Sequence, residues 1–310
     1  MPKPPRWNKL SDYFFSHYGQ RVQKIPLDAG FACPNRDGTL ARMGCIFCNA
    51  QGSGTGFGQA GLDLPGQWAI WRQHFRPKGL RLFLAYLQSF SNTYGPIEHL
   101  RDVLAKLAPL PDMIGLSVGT RPDCVDADKL RLLADQPQPE RWIEFGVQSA
   151  SNATLTRIRR GHDRACAEQA VASAARLGIK VCVHLMAGLP DETDETFLAS
   201  VRWASEQPIA GIKFHCTYVC AGTALAEMHT QGAYTPLTQA SYVRLMAEAL
   251  PLLRSDIIVH RTTGDPFSGE VIAPDWVLRS RDTNNRILAE LTRRDTWQGK
   301  AAPPGVDQHE

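Results

Sequence analysis

The sequence predicts an α/β protein, a partial (βα)6 TIM-like barrel followed by a C-terminal extension. Three observations predict it. Six short apolar runs rich in β-branched residues recur along the chain, helix-period patterns fill the gaps between them, and the alternation stops after Tyr234. Strands that alternate with helices cross over right-handed, which gives a parallel sheet, and six such units curl into an incomplete barrel.

Residues 1–20 form a basic and aromatic N-terminal segment. Over the first 30 residues Lys3, Arg6, Lys9, Arg21 and Lys24 stand against Asp12 and Asp28, interleaved with Trp7, Tyr13, Phe14, Phe15 and Tyr18; this reads as a solvated amphipathic helix. The core barrel is expected over 21–235. Its strands fall at 21–26, 80–87, 113–118, 142–147, 180–187 and 211–219, and its helices at 65–75, 96–107, 126–134, 164–177 and 193–206. The extension, 236–297, holds a helix near 237–253, the strand-like run DIIVHRTT and a polar, arginine-containing stretch, and is expected to cover the barrel or a substrate. Residues 298–310, ending in AAPPGVDQHE, read as a disordered tail.

A hydrophobic content of 43% over 310 residues allows a sizeable core. No apolar stretch approaches the roughly 20 residues that span a bilayer, and MPKPPRWNKL has no apolar secretory region, so a cytoplasmic location without membrane contact is expected. The net charge of +3 permits a nucleic-acid partner without demanding one. Eight unevenly spaced cysteines are too few for a disulfide scaffold and are expected as reduced thiols.

Three of them carry chemistry. Cys33, Cys45 and Cys48 stand in CPNRDGTLARMGCIFC with C-x11-C-x2-C spacing, just after the first strand, where a barrel places its active site. They offer three thiolates and leave a fourth coordination position unfilled, which suits a site that must bind something else. A zinc knuckle would need Cys216 and Cys220 from a distant strand; an iron–sulfur cluster with one open iron is the better fit. Gly38 and Gly44 are expected to turn backbone amides toward cluster sulfurs. Cys124, Cys166 and Cys182 read as buried small hydrophobes.

The segments CPNRDGT, GTRPDCV, FGVQSASNATLTRIRRGHD and KVCVHLMAGLPDE together resemble the YhcC-like family of the radical S-adenosylmethionine (SAM) superfamily, over about residues 7–276. The radical SAM domain of the elongator catalytic subunit is a relative, with similar TRPD and GVQS…RGH segments. The eleven-residue gap departs from the superfamily's common three-residue spacing and matches the YhcC-like form. The resemblance implies a radical SAM enzyme: a [4Fe–4S] cluster on the three cysteines, SAM chelated to the open iron, an electron donor such as flavodoxin or ferredoxin, and a hydrogen abstracted from substrate. It points to a tRNA wobble uridine side chain as substrate, with a small metabolite or peptide as the alternative and a non-enzymatic iron–sulfur or zinc protein as the other class.

It also implies site residues. Gln148 sits where the oxygen-independent coproporphyrinogen oxidase uses a glutamine on SAM, and Arg160 has the same twelve-residue offset as that enzyme's arginine. His184 stands at the place of a ribose-binding aspartate, and Met186 and Gly188 are expected against adenine. Tyr86 and Gln88 end the second strand, where an amino-group-binding motif is usual, and Arg121 places a cation at the mouth that can take a carboxylate or phosphate. Strand alternation puts Glu144 on the lumen side with Gly146 and Gln148, where its charge needs a partner, expected to be SAM or Arg160. Cys216 and Cys220, which follow Lys213 and His215 on the sixth strand, are candidates for a hydrogen donor or a redox pair, and Tyr218 between them is a further catalytic candidate.

Overall fold

Seven parallel strands form one sheet in the computed structural model, which describes residues 5–49, 52, 60–264, 266 and 269–302. In chain order they are β1 (Val22–Leu27), β2 (Leu82–Leu87), β3 (Met113–Thr120), β4 (Glu140–Gln148), β5 (Lys180–Ala187), β6 (Gly211–Cys216) and β8 (Ile258–Arg261), each paired with the next. The two edge strands do not pair, so the sheet is an open, partial TIM barrel. β7 (Val219–Cys220) lies apart and pairs antiparallel with β9 (Val271–Ala273).

Helices α2 (Leu64–Phe75), α3 (Ile97–Leu107), α4 (Ala127–Ala134), α6 (Arg164–Arg176) and α7 (Asp194–Glu206) match the sequence expectation within one residue at each end. Their starts follow from local chemistry. Asp63, Asp126, Asp163 and Thr193 each accept a backbone N–H in the first turn. The apolar outward faces of the strands bury against these helices in one continuous core running from Trp7 to Leu291.

Four features differ from the sequence reading. The run expected to continue to 219 breaks after Cys216, because β7 leaves the barrel to pair with β9. Short helices α5 (Asn152–Arg157) and α8 (Ala224–Thr230), capped by Ser151 and Thr223, have no long apolar period to announce them. β8, from the expected extension, hydrogen-bonds to β6 and so belongs to the sheet, and α9 (Gln239–Ala249) supports it; the polar stretch after it is a helix, α10 (Ser280–Arg293), burying Thr283, Ile287 and Leu291 at fourfold spacing. Residues 298–302 are not a free tail: Gln298 donates to the carbonyls of Arg254 and Ile257, each at 2.7 Å, while 303–310 lie outside the described residues.

The N-terminal helix α1 (Leu10–Tyr18) is not simply a solvated helix. Phe14 is 1% exposed and packs with Leu84, Ile114, Trp142, Cys182 and Ile258, plugging the barrel floor. Tyr13 and Tyr18 donate to Glu140 Oε1 at 3.0 Å each, and Trp142 Nε1 donates to Glu140 Oε2 at 2.7 Å. Trp7, Tyr13, Phe14 and Tyr18 are thereby committed to the fold, whereas Phe15 stays exposed.

Candidate active site at the barrel mouth

The cysteine loop follows β1 and closes on itself before it meets anything else. Arg36 N–H donates to the Cys33 carbonyl at 2.8 Å, and Cys48 N–H to the Cys45 carbonyl at 3.0 Å. Gly38 and Gly44 adopt φ of 95° and 73°, which other residues reach only with strain. Their amides, however, donate to Ala41 O and Asn35 O and are not free for cluster sulfurs. Side chains do that work instead. Asn35 Nδ2 and Arg160 Nη1 each lie 3.4 Å from Cys45 Sγ, and Arg36 Nη2 lies 3.3 Å from Cys48 Sγ. Asn35, 1% exposed, also donates to Arg159 O at 2.8 Å, which fastens the loop to the end of α5. Neither Asn35 nor Arg36 was singled out from sequence, although both sit in the CPNR run beside the first cysteine.

All eight cysteines are free thiols. Among the described residues the only three donors gathered within 4.8 Å of one another are Glu144, Cys182 and His184; Cys33, Cys45 and Cys48 are spread more widely. A single tetrahedral zinc draws its sulfurs closer than that, whereas a cluster does not. Cationic and amide donors around the thiols complement the negative charge that three thiolates bring. Arg121 adds to this. Its Nε and Nη2 are locked on Asp123 at 2.9 and 2.6 Å, and its Nη1 is buried without a partner on the cavity wall. The residues present therefore fit a cluster.

Gln148 and Arg160, expected together, are brought together. β4 ends in a register shift between Gly146 and Gln148, and Gln148 takes the left-handed conformation at φ 77°, a strain found mainly where surroundings enforce it. Arg160 donates twice to Gly146 O, at 3.1 and 2.5 Å, and reaches Cys45 with its remaining nitrogen, so it ties the end of β4 to the cysteine loop. Gly146 makes this possible. A Cβ there would stand 2.7 Å from Gln148 Nε2 and 2.8 Å from Arg160 Nη2. Gly146→Ala is accordingly expected to fold, since both obstructing groups are side-chain tips, but to lose about 1–2 kcal/mol of stability as Arg160 is pushed off Gly146 O; an unchanged midpoint in urea unfolding would refute it.

Glu144 does not pair with Arg160. Its carboxylate, fully buried, accepts from Lys24 Nζ and Lys213 Nζ, from His184 Nε2 at 2.9 Å and from Ser117 Oγ at 2.5 Å. Burial alone would raise its pKa, but the two ammonium groups and the histidine outweigh it and hold the carboxyl well below its ordinary value. Burial lowers Lys24 to about 8 against the pull of Glu144, and lowers His184 to about 4, so the imidazole is a neutral donor. With two ammonium groups on one carboxylate, the Glu144–Cys182–His184 group has no place for a metal ion. This polar layer lies between the aromatic floor and the cavity. Lys24 and His260, at the side of Glu144, carried no sequence signal as members of it.

The cavity above, about 250 Å³, is bounded by Cys33, Cys45 and Cys48 at one end and by Tyr86, Gln88, His184, Met186, Lys213 and His215 across from them. Cys216, Tyr218 and Cys220 also reach its wall, with burial keeping the Cys220 thiol protonated up to about 11. Gly188 does not line it: its carbonyl accepts from Tyr234 at 2.7 Å and its Cα lies under Leu237. Cys166, expected in the core, is only half-buried and faces the groove between α4 and α6; Cys124 and Cys182 are buried as expected.

Just outside the cavity, the loop after β5 carries a further titrating group. Glu192 accepts from Ser149 Oγ at 2.6 Å, its other oxygen is buried without a partner, and burial pushes it up to about 7. A folded pKa above the unfolded value of about 4.3 means the folded state holds the proton longer, so stability falls as pH rises from about 4.5 to 7 and then levels. Glu192→Gln is expected to remove this slope and to gain on the order of 1–2 kcal/mol at pH 8 in urea unfolding; an unchanged slope would count against it.

Comparison with known proteins agrees with this architecture. The radical SAM superfamily model matches residues 38–204, and the radical SAM C-terminal domain model matches 209–293. Protein YtqA of Bacillus subtilis is 35% identical over 297 residues, covering 95% of this chain and 92% of that protein. YhcC of Escherichia coli is 34% identical over 84% of each chain. A tRNA uridine(34) acetyltransferase of Dehalococcoides mccartyi is 29% identical over 155 residues, 49% of this chain and 33% of that protein. Among solved structures, archaeal Elp3 of Methanocaldococcus infernus superposes with a TM-score of 0.69 at 15% identity, over 88% of this chain and 63% of that one. Among the described residues no helix is long and apolar enough to cross a membrane. With both domain models in register along a seven-stranded partial barrel, the chain belongs to the radical SAM superfamily as an enzyme of its YhcC-like family.

Proposed function

We propose that Cys33, Cys45 and Cys48 hold a [4Fe–4S] cluster, and that SAM lies beside Gln148 and Arg160 with His184, Met186, Tyr86 and Gln88 around it. The observation that carries this reading is Arg160, which bridges Cys45 Sγ and the end of β4 in one buried side chain. When bound, the cluster supplies one electron, received from a donor such as flavodoxin or ferredoxin, for cleavage of SAM to methionine and a 5′-deoxyadenosyl radical that takes a hydrogen atom from substrate. This chain's residues do the remaining work. Arg36, Asn35 and Arg160 stabilise thiolate charge, the floor built on Phe14 and Glu140 closes the barrel from below, and the left-handed Gln148 presents its amide at a fixed position. Cys220, on the cavity wall with its thiol kept protonated by burial, would give a hydrogen atom to the substrate radical, and its thiyl radical would return to the thiol with an electron from the same external donor and a proton from solvent.

The substrate reading is a wobble uridine side chain in tRNA, supported by the partial likeness to a tRNA uridine(34) acetyltransferase. A second reading, a small metabolite or peptide, is favoured by the commitment of Tyr13, Phe14 and Tyr18 to the barrel floor, which removes them as stacking surfaces. Anaerobic reconstitution with iron and sulfide followed by SAM and dithionite tests the chemistry, with 5′-deoxyadenosine as the expected product and its absence as the refuting result. Mass spectrometry of tRNA nucleosides from a deletion strain decides the substrate: a missing modified uridine supports tRNA, and a wild-type profile excludes it.

A further inference from the structure

The cavity has two chemically distinct ends. At the cysteine end Arg160 is engaged by Gly146 O and Cys45 and Arg36 by Cys48, while Arg121, paired with Asp123, keeps only its Nη1 without a partner. At the opposite end, β6 turns Lys213 and His215 inward, in register with His184 and Met186 of β5. Lys213 is 4% exposed, shares the single carboxylate of Glu144 with Lys24, and rests 4.2 Å from the ring centroid of Tyr86. Two ammonium groups on one carboxylate leave one positive charge unbalanced among the described ion pairs of this layer. His215, its ring 5.3 Å from that of His184, presents Nε2 sealed from solvent with no hydrogen-bond partner. Burial holds this imidazole neutral, so it can donate from one nitrogen.

A buried surplus cation beside an unsatisfied donor is costly in an empty site and favourable once an anion arrives. We infer that Lys213 and His215 form an anion subsite, which receives a carboxylate or phosphate group of the substrate while the hydrogen to be abstracted faces the cysteine loop. Lys213 supplies the charge, and Tyr86 and Glu144 hold its ammonium group in place. His215 supplies the second hydrogen bond. The inference rests on the reading of the cysteine end as the cluster and SAM site, because that reading makes β6 the substrate's wall.

Isothermal titration of the reconstituted protein with inorganic phosphate and, separately, with acetate tests it, each with and without saturating SAM. One of the two is expected to bind with a Kd on the order of millimolar, equally well with and without SAM; the tighter of the two identifies the group as phosphate or carboxylate. Lys213→Met is expected to weaken that binding about tenfold or more, and Lys213→Arg to retain it. Binding of neither anion, displacement of the anion by SAM, or undiminished binding by Lys213→Met would each overturn the inference. Failure of the cluster reading shows separately, as absence of 5′-deoxyadenosine, and leaves the anion titration readable.

Discussion

Cys45→Ala is expected to yield protein that folds but retains no [4Fe–4S] cluster after anaerobic reconstitution and forms no 5′-deoxyadenosine from SAM. Cys45 is the thiol on which the site converges: it receives both Asn35 and Arg160, and it is 5% exposed. Removing one of three thiolates leaves two iron ligands, which is not enough to hold the cluster against solvent, while the cost to the fold is that of a small buried side chain, about 1 kcal/mol. Cys33→Ala and Cys48→Ala are expected to do the same. Cys166→Ala, in the groove between α4 and α6, is the control that keeps both cluster and product. Iron and acid-labile sulfide analysis of the four proteins decides the matter: a Cys45→Ala protein with full iron and sulfide would rule out the assignment.

Glu144→Ala is expected to destabilise the apo-protein by about 3–5 kcal/mol, because it strands the buried ammonium group of Lys213 and the largely buried one of Lys24. Lys24 and Lys213 both donate to this carboxylate, and the layer offers them no second acid among the described residues. Glu144→Gln, which keeps the shape but not the charge, is expected to cost nearly as much, so charge rather than cavity volume is the cause. Adding Lys213→Met to Glu144→Ala removes one stranded charge and is expected to restore at least about 1 kcal/mol. Urea unfolding of the single and double variants measures all three quantities. A cost below about 1 kcal/mol for either single variant would show that the layer does not depend on this carboxylate.

The legible part of the site was the part carried by local spacing. C-x11-C-x2-C and the Gln148–Arg160 offset are one-dimensional patterns, and the structure gathers those residues around one cavity. What was illegible is pairwise and long-range. Strand alternation puts Glu144 on the lumen side and leaves SAM or Arg160 as its expected partner, yet its partners within the fold come from β1, β3, β5 and β6, separated from it by between 27 and 120 positions. The glycine amides expected to face sulfur were consumed by the loop's own turns, a competition that spacing does not reveal.

The sequence by itself determined the βα alternation, the helix caps and the placement of three thiols after the first strand, because apolar period and capping chemistry act over a few residues. Only the tertiary structure decided that β8 joins the sheet, that α1 becomes the floor, and that a charged layer with one surplus cation lies beneath the cavity. Those outcomes depend on which strand edges and side chains meet when the sheet curls. A parallel strand records its own burial but not the identity of its neighbour.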